Sequence, residues 1–590
     1  ESIWPGHQIT EMGLAKLYRV TGDPRYLNLA KFMLDVRGPD GDKGSGREYN
    51  QSHLKVTQQT EAVGHAVRAT YMYSGMADVA ALTGDTSYVN AIDRIWENVI
   101  DKKLYITGGI GATARGEAFG ANYELPNMTA YNETCAAVGN DYWNYRLFLL
   151  HADAKYIDVM ERTLYNGLIS GVSLDGKSFF YPNPLESAGQ HHRQPWFGVA
   201  CCPGNITRFI ASVPGYVYAR EGDKLYVNLF VGSTAEIKMD DGRTVKIKQE
   251  TRYPWDGKVK LSAESDKSSP FTINLRIPGW ARNEAVPGDL YTFIDKTAEP
   301  VVLKVNGKPV PLKLDKGYVG LTRNWRKGDV IELVMPTPVR RIAANQKVGA
   351  DRGRTALQRG PIVYCAEWPD NPNRHVRNLV LDEKAKLDAE FRPGLLNGVT
   401  VIKGKATGLS LDAGGQVIRR EQDFMAIPYY AWANRGSGEM IVWIPNNEAS
   451  ARPLPYPTIA TSSKVTASGK SNRLIPQRIN DGEEPASSSD PTSYFDWWPE
   501  KGATEWVEYE FAKPATVSEV EVYWFDDTGS GEVRVPRSWR ILYRDGEEWK
   551  PVENAGSYGV EKDRYNKVNF KPVTTGALRL EITMQPNWSA

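Results

Sequence analysis

Apolar residues recur every three or four positions through the first part of the chain, which is the spacing of one helix face. Three stretches repeat one pattern: LYRVTGDPRYLNLA from Leu17, VAALTGDTSYVNAI from Val79 and LFLLHADAKYIDVM from Leu147. In each stretch an aspartate occupies the equivalent turn and a tyrosine follows three residues later. The pattern predicts three α-hairpins, each of about 65 residues with its loop.

The turn aspartates are Asp23, Asp85 and Asp153. A carboxylate placed just before a helix accepts hydrogen bonds from free N–H groups and meets the positive end of the helix dipole. We therefore expect each aspartate to cap the second helix of its hairpin. Three hairpins do not close on themselves, since a closed toroid of this type needs about six. The chain is expected to hold the later part of a helical barrel, with the front part missing from this numbering.

After about residue 218 the pattern changes to alternation of apolar and polar residues, which is typical of half-buried strands. Examples are KLYVNLFV, TVKIKQE, FTINLRIPGW, PVVLKVNGKPV and DVIELVMP. A second strand-rich stretch runs from IVYCAEW to IVWIP, and ARPLPYPTIATSSKVTASGKS then has the composition of a linker. We predict a multidomain chain, α and then all-β: a helical part over 1–218, a β-sandwich over 219–345, a second β-rich domain over 346–452 and a further all-β module over 453–590.

Composition and charge disfavour a few classes of function but do not indicate a specific activity. A chain of 590 residues with a formal net charge of +1 gives no sign of binding nucleic acid or an anionic membrane surface. No apolar run approaches the ~18 residues that span a bilayer. The chain begins at Glu1 and shows no signal peptide. We expect a processed or truncated chain of an exported protein, periplasmic or extracellular in a bacterium.

The chain has four cysteines, and two of them are adjacent, in FGVACCPGN. Neighbouring cysteines rarely bond to each other, because the small ring strains the disulfide. The lone Cys365 is most simply explained by core packing. Cys201 and Cys202 stand before a Pro-Gly pair, which favours a site at the end of a helix or strand.

Together with Glu133 and Cys135 of the segment YNETC, the adjacent cysteines offer one carboxylate and three thiolates. Zinc takes four ligands and favours cysteine sulfur, so the set is a candidate metal site, although no CxxC pair is present. On a regular helix, residues two apart point about 200° away from each other. We therefore expect the segment around Glu133 to be irregular, at the start of a helix.

A glycine-rich loop, GGIGATARGEAFGANYELPN, precedes this segment and contains Glu117 and Glu124. It lacks the strand and the GK[ST] of a phosphate-binding loop. Either glutamate can be simply solvated or, above a pocket, can serve as a proton donor. His65 lies on an apolar helix, where a core histidine is the common outcome. The remaining histidines of interest are His7 and His53, close enough to turns to reach a cleft, and His191 and His192, expected at the surface.

The motifs, taken in order, resemble the zinc-dependent cysteine glycosidases of the β-L-arabinofuranosidase families 127 and 146. The resemblance covers about residues 1–450. It is carried by WPGHQ, QSHLKVTQQTEAVGHAVRATYMYSGMADVAALTGD, GGIGATARGEAF, YELPNMTAYNETCAAVG, FFYPNPL and WFGVACCPGN. It implies an (α/α)6 barrel followed by β-sandwich domains, acting on plant cell-wall oligosaccharides or polysaccharides.

The resemblance also implies roles for individual residues. The zinc ligands fall on Glu133, Cys135, Cys201 and Cys202, with Cys201 also the nucleophile and Glu117 the general acid/base. The substrate-binding positions fall on His65, His7 and Tyr181. This would be a retaining mechanism, with a cysteine where most glycosidases have a carboxylate.

The last module resembles a discoidin-like (F5/8 type C) jelly roll. Such modules often bind carbohydrate through loop aromatics and can carry a structural calcium. Trp497 and Trp498 are the candidates for exposed aromatics, with core packing an equal alternative.

Three alternatives stay open. One is hydrolysis of a related furanoside such as the aceric acid of pectin. A second is a carbohydrate-binding protein with a structural zinc. The third is an ordinary two-carboxylate glycosidase using Glu117 and Glu124.

Overall fold

The computed structural model describes residues 4–40, 47–295, 297, 299–469, 471, 476–482, 485, 487–488, 494–529 and 531–590. The chain forms two compact units. The first comprises Glu1–Gly408 with Arg420–Arg452, and the second comprises Leu409–Arg419 with Pro453–Ala590. Among the described residues, no helix is both long enough and apolar enough to cross a bilayer.

The helices lie in the first part of the chain, as predicted. They are α1 (Thr10–Thr21), α2 (Pro24–Val36), α3 (Ala66–Thr83), α4 (Thr86–Lys102), α5 (Thr134–His151), α6 (Ala154–Thr163) and α7 (Cys201–Ser212). The first six form three hairpins, and the second helix of each begins directly after Asp23, Asp85 or Asp153. The three carboxylates accept hydrogen bonds from the N–H groups two residues later, at 3.0, 3.1 and 3.0 Å. The predicted caps are confirmed.

The long helices α3 and α5 are buried on almost every side and pack against each other. Gly139 of α5 faces Thr70 of α3 so closely that an added Cβ would lie 2.2 Å from the Thr70 hydroxyl oxygen. The absence of a side chain at this position therefore sets the separation of the two helices. Helix α5 in turn contacts α6 and α7, so its position fixes the neighbouring helices.

The strands follow the helices, except for a short first one. They are β1 (Glu186–Ala188), β2 (Tyr218–Glu221), β3 (Lys224–Val227), β4 (Ser233–Lys238), β5 (Thr244–Thr251), β6 (Lys258–Ser265), β7 (Phe271–Arg276), β8 (Tyr291–Phe293), β9 (Val302–Val305), β10 (Lys308–Pro309), β11 (Leu314–Asp315), β12 (Tyr318–Arg323), β13 (Val330–Val334), β14 (Val339–Ala344), β15 (Arg354–Arg359), β16 (Ile362–Glu367), β17 (Leu379–Val380), β18 (Asp388–Arg392), β19 (Val399–Leu411), β20 (Val417–Pro428), β21 (Glu439–Ile441), β22 (Ile444–Pro445), β23 (Lys464–Ala467), β24 (Thr504–Tyr523), β25 (Ser538–Asp545), β26 (Glu548–Pro551) and β27 (Tyr565–Thr583).

Two sheets build the sandwich that follows the helices. One has the order β10-β9-β13-β6-β5-β4 and the other β11-β12-β7-β3-β2. Alternate residues of β5, β6 and β13 are buried, which is the pattern of sheets packed face to face. Helix α6 is anchored to this sandwich by the buried Arg276, whose guanidinium bonds Asp158 at 2.6 Å and Glu161 at 2.5 Å.

A third sheet has the order β17-β19-β20-β16-β15-β14-β8, with β1, β18, β21 and β22 paired at its sides. Strand β1 comes from the helical part of the chain and pairs antiparallel with β21, from Glu186 opposite Ile441 to Ala188 opposite Glu439. The stretch that leads from α6 to α7 is therefore held by the strand-rich part of the same unit. The predicted order of helices and then sheets is confirmed.

The second unit is built around a sheet of order β23-β24-β27-β25-β26. Strand β23 lies inside the stretch predicted to be a linker, because Lys464–Ala467 pairs with Val507–Glu510 of β24. Of the two alternatives for Trp497, an exposed loop aromatic or a core residue, the structure shows the core residue. Its side chain is 3% exposed in the core of this unit, and its Nε1–H donates to the Ser468 carbonyl at 2.8 Å. Trp498 is half-buried and its Nε1–H donates to Glu532.

The contact at Gly139 yields a stability prediction. Gly139→Ala should lower the free energy of unfolding by about 1–3 kcal/mol, because the methyl group forces α3 and α5 apart. Gly13→Ala is the matched control, since this helical glycine has no atom within 4 Å of an added Cβ. It should raise stability by about 0.5–1 kcal/mol. Chemical denaturation followed by tryptophan fluorescence measures both, and a Gly139→Ala protein as stable as the control would contradict the packing argument.

Candidate active site

The segment YNETC forms the start of α5. Glu133 is the last residue before the helix, with φ −57° and ψ 136°, and Cys135 is the second residue within it. The expected irregularity at Glu133 is confirmed. The helix start is tied to the segment FFYPNPL, because the Thr134 hydroxyl donates to the Phe180 carbonyl at 2.8 Å and the Asn183 amide donates to Asn132 and Thr134.

The adjacent cysteines are the first two residues of α7. Pro203 stands in the first turn, where its missing N–H costs no helical hydrogen bond. The thiols of Cys201 and Cys202 therefore lie at a helix N-terminus, as do Glu133 and Cys135 at the start of α5. The positive ends of two helix dipoles favour negative charge at the point where these four side chains meet.

The four side chains lie together, with their ligand atoms all within 4.8 Å of one another. The sulfur of Cys202 is 3.4 Å from that of Cys135 and 3.9 Å from that of Cys201. Oxygen Oε1 of Glu133 lies 3.4 Å from the Cys201 sulfur and 3.5 Å from the Cys202 sulfur. The structure thus brings together the four predicted ligand residues.

These separations fit a small tetrahedral metal ion. With metal–sulfur bonds of about 2.3 Å and a metal–oxygen bond of about 2.1 Å, tetrahedral ligand atoms lie roughly 3.6–3.8 Å apart. A second observation agrees. Oxygen Oε2 of Glu133 is buried and has no hydrogen-bond partner in the described part of the chain, whereas buried carboxylate oxygens are nearly always satisfied. The four residues can hold a metal ion.

The three thiols of the cluster differ in accessibility. Cys135 and Cys202 are 1% and 0% exposed, whereas Cys201 is half-buried. Contacts from the sulfurs of Cys135 and Cys202, and from the Tyr181 hydroxyl at 2.8 Å, lower the pKa of the Cys201 thiol. Burial raises the pKa of Cys202 and of Glu133. Cys201 is therefore the thiol of the cluster best suited to react with a bound molecule.

Glu117 lies beside this cluster. Its carboxylate, with Glu133 and His65, forms a second group whose ligand atoms lie within 4.8 Å of one another. Both of its oxygens are held: the Tyr131 hydroxyl donates to Oε1 at 2.7 Å, and Oε2 is 2.7 Å from Nε2 of His65. The backbone of Glu117 is in the left-handed region, with φ 50°, a conformation that costs free energy and is typical of functional sites.

His65 caps helix α3 as well as contacting Glu117. Its Nδ1 accepts from the N–H groups of Val67 at 3.2 Å and Arg68 at 3.4 Å. The ring proton of the neutral form is therefore on Nε2, and it is donated to Glu117. Burial, with a smaller contribution from the charge of Arg68, lowers the pKa of His65 to about 4.

Two further predicted residues lie at this site. The ring of His7 is 5.8 Å from that of His65 and 6.2 Å from that of Tyr71. Tyr181 contacts Cys201 through its hydroxyl. Glu124, unlike Glu117, makes a local contact. Its side chain is exposed, and its Oε2 accepts a hydrogen bond from the Ala121 N–H within the same turn. The pair of carboxylates at the site is therefore Glu117 and Glu133.

Family models match almost the whole chain. Residues 1–215 match the β-L-arabinofuranosidase GH127 catalytic domain, 224–337 the GH127 middle domain, 339–445 the glycoside hydrolase family 127 C-terminal domain, and 459–590 the F5/8 type C domain. The chain is also 37% identical over 485 residues to a non-reducing end β-L-arabinofuranosidase of Bifidobacterium longum subsp. longum, covering 74% of this chain and 70% of that relative. The chain belongs to glycoside hydrolase family 127.

Solved structures of family 127 enzymes agree with the fold. A GH127 β-arabinofuranosidase is 54% identical with a TM-score of 0.74, over 77% of this chain and 70% of that one. A GH127 β-L-arabinofuranosidase from Geobacillus stearothermophilus T6 is 43% identical with a TM-score of 0.69, over 75% of this chain and 73% of that one. This glycoside hydrolase therefore acts on a carbohydrate.

Sequence reasoning gave no role to two residues of this family 127 site. Tyr131 holds Glu117, and Asn205 places its amide nitrogen 3.0 Å from the Cys135 sulfur. Both lie inside motifs that were already singled out, YNETC and CCPGN. A signal was present for Asn205, because it follows Cys201 by four residues and a helix starting at Cys201 places both on one face.

The environment of His65 predicts its behaviour with pH. The ring should stay neutral, with the proton on Nε2, at pH values well below the ordinary histidine pKa of 6.5. Since the folded protein favours the neutral ring, His65 contributes stability that is complete above pH 6.5 and is lost as the pH falls towards 4. NMR of ¹⁵N-histidine-labelled enzyme measures tautomer and titration, with His65→Gln to assign the signal. A proton on Nδ1, or a midpoint at 6.5 or above, would disprove this.

Proposed function

We propose that this family 127 enzyme is a retaining β-L-arabinofuranosidase in which Cys201 is the nucleophile and Glu117 the general acid/base. The observation that carries the proposal is the placement of Cys201 and Glu117 around the cluster. Cys201 is the partly exposed member of an otherwise buried cluster of one glutamate and three cysteines, and Glu117 lies next to that cluster with both oxygens hydrogen-bonded. The activity named for the relatives supports the same assignment.

The metal of the cluster is proposed to be zinc, held by Glu133, Cys135, Cys201 and Cys202. A set of three cysteines and one carboxylate suits zinc better than the harder cations, which prefer oxygen ligands. When bound, zinc would keep the sulfur of Cys201 deprotonated at neutral pH. The chain's own residues perform the remaining chemistry.

In the first step the Cys201 sulfur attacks the anomeric carbon of the sugar. The bond between that carbon and the glycosidic oxygen breaks as the new carbon–sulfur bond forms. The departing oxygen takes a proton from Glu117 and leaves as an alcohol. The product of this step is a sugar bound covalently to Cys201, and Glu117 is left as a carboxylate.

In the second step Glu117 removes a proton from water, and the water oxygen attacks the same carbon. The carbon–sulfur bond breaks and its electron pair returns to Cys201. Two displacements at one carbon retain the configuration of the sugar. The enzyme is restored, because Glu117 again carries the proton that it gave in the first step.

The two partners of Glu117 suit a group that gains and loses a proton. The Nε2–H of His65 can only donate, so the oxygen facing it stays unprotonated. The Tyr131 hydroxyl can donate to a carboxylate or accept from a carboxylic acid after rotating its hydrogen. We therefore place the mobile proton on Oε1, the oxygen that faces Tyr131.

The substrate is proposed to be a plant cell-wall glycan, with His65, His7 and Tyr181 around the terminal sugar. A periplasmic or extracellular location fits such a substrate and stays a prediction. Sugar binding and a structural calcium in the F5/8 type C domain also stay predictions.

Arg68 contributes a cation near His7 and His65, so a carboxylated furanoside such as aceric acid is the second candidate substrate.

Replacing the nucleophile tests the proposal directly. Cys201→Ser should lower kcat/KM on p-nitrophenyl β-L-arabinofuranoside by at least about 10³-fold, since a serine hydroxyl is not ionised at neutral pH. Chelation of zinc should lower the activity of the unmodified enzyme in the same way. Cys365→Ala is the matched control, because this buried cysteine lies outside the cluster, and it should retain activity and zinc.

The outcomes separate the open alternatives. Full activity of Cys201→Ser would reject the cysteine nucleophile. A protein that binds sugar and zinc but hydrolyses neither the arabinofuranoside nor a carboxylated furanoside would instead be a binding protein with a structural metal. Activity that survives both chelation and thiol alkylation would point to an ordinary pair of carboxylates.

Two glutamates of the same loop test the assignment of Glu117 as the general acid/base. Glu117→Gln should lower kcat/KM on a natural oligosaccharide by about 10²–10⁴-fold, because the departing oxygen then finds no proton donor. With the p-nitrophenyl substrate, whose leaving group needs little protonation, a rapid burst followed by slow turnover is expected. Glu124→Gln should keep kcat/KM near that of the unmodified enzyme. A loss in Glu124→Gln as large as that in Glu117→Gln would contradict the assignment.

A further inference from the structure

The metal cluster carries more negative charge than a divalent ion balances. Three thiolates and one carboxylate bring four negative charges against two positive ones, in a site where Glu133, Cys135 and Cys202 are at most 3% exposed. Buried charge is costly unless hydrogen-bond donors face it. The N-termini of α5 and α7 supply part of this compensation. Among the described residues, Asn205 adds a side-chain amide donor to a sulfur that takes no part in the proposed reaction.

Asn205 lies one turn after Cys201 on α7 and points at the buried thiol of Cys135. Its Nδ2 is 3.0 Å from the Cys135 sulfur, and its Oδ1 accepts from the Arg208 guanidinium at 2.7 Å. Arginine offers only donors, so the amide oxygen must face Arg208. The amide N–H groups must then face the sulfur. The orientation of the amide is therefore fixed by the residue on its outer side.

We propose that Asn205, oriented by Arg208, is a positioning residue that holds the Cys135 thiolate in place and offsets its charge. The inference rests on the metal centre of the proposed function. A hydrogen bond to Cys135 acts on a ligand that does not react, so it stabilises the cluster and leaves the sulfur of Cys201 free for the sugar. Asn205 is half-buried and Arg208 is exposed, which makes a large effect of either on folding unexpected.

The experiment measures zinc affinity by competition with a chromophoric chelator, together with the sulfur-to-metal charge-transfer spectrum of the cobalt-substituted enzyme. Asn205→Asp keeps the acceptor for Arg208 but turns a negative oxygen towards the sulfur. Asn205→Ala removes both contacts. Arg208→Gln removes the orienting charge, together with the guanidinium contacts to the Tyr71 hydroxyl and the Tyr142 ring. Thr207→Ala, at an exposed position of the same helix, is the matched control.

Loss of a hydrogen bond to a metal ligand typically weakens metal binding by about 10–100-fold. We expect a loss in that range for Asn205→Ala, a larger one for Asn205→Asp and a smaller one for Arg208→Gln, each with a shifted charge-transfer band. Thermal unfolding of the metal-free proteins should be unchanged, which separates this role from a contribution to folding. Zinc affinity and spectra equal to those of Thr207→Ala would overturn the proposal.

The measurement distinguishes this inference from the proposed function. If the unmodified enzyme binds no zinc, the metal centre itself is wrong and Asn205 has nothing to position. If the unmodified enzyme and the control bind zinc equally and the Asn205 variants bind it as tightly, only the inference fails.

Discussion

The site depends on placing four acidic side chains within 4.8 Å of one another inside a folded protein. When two of these groups are ionised, like charges about 4 Å apart repel by about 4 kcal/mol even at an effective dielectric constant of 20. Two features of the fold help the cluster to tolerate this repulsion. The side chains lie at the N-termini of α5 and α7, where free N–H groups and helix dipoles favour anions. Helix α5 is also fixed in position by a contact remote from the cluster, the close approach of Gly139 to Thr70 of α3.

Much of the helical part was predictable, because its signals are local. An aspartate at a turn between two apolar-periodic segments is well placed to accept hydrogen bonds from the first N–H groups of the second helix. Asp23, Asp85 and Asp153 all cap helices in this way. The irregular backbone at Glu133 followed from the geometry of a helix alone. Trp497 shows what local reasoning leaves open. An aromatic residue in a polar segment is consistent with a surface platform or with a core, and only the packing of β23, β24 and β25 around it decides.

The two loop glutamates show the same limit at the site. From the residues alone Glu117 and Glu124 are equivalent, and the family resemblance separated them before the structure did. The physical difference lies in long-range partners. Glu124 accepts an N–H three residues away, whereas Glu117 is held by His65, 52 positions earlier in the chain, and by Tyr131, 14 positions later. Such partners are set by tertiary contacts, so no local pattern reports them.

Accessibility then decides which sulfur of the cluster can react. Cys135 and Cys202 are enclosed by α5, α7 and their neighbours, so a sugar carbon cannot reach them without opening the helix ends. Cys201 is equally close to Glu133 but keeps part of its surface free, and its sulfur lies 2.8 Å from the Tyr181 hydroxyl. The four residues of the cluster therefore differ in what they can do. Glu133, Cys135 and Cys202 are buried and can hold a metal ion, whereas Cys201 is partly exposed. The proposed mechanism depends on this partial exposure, because a fully buried thiol offers no path to the anomeric carbon of a sugar.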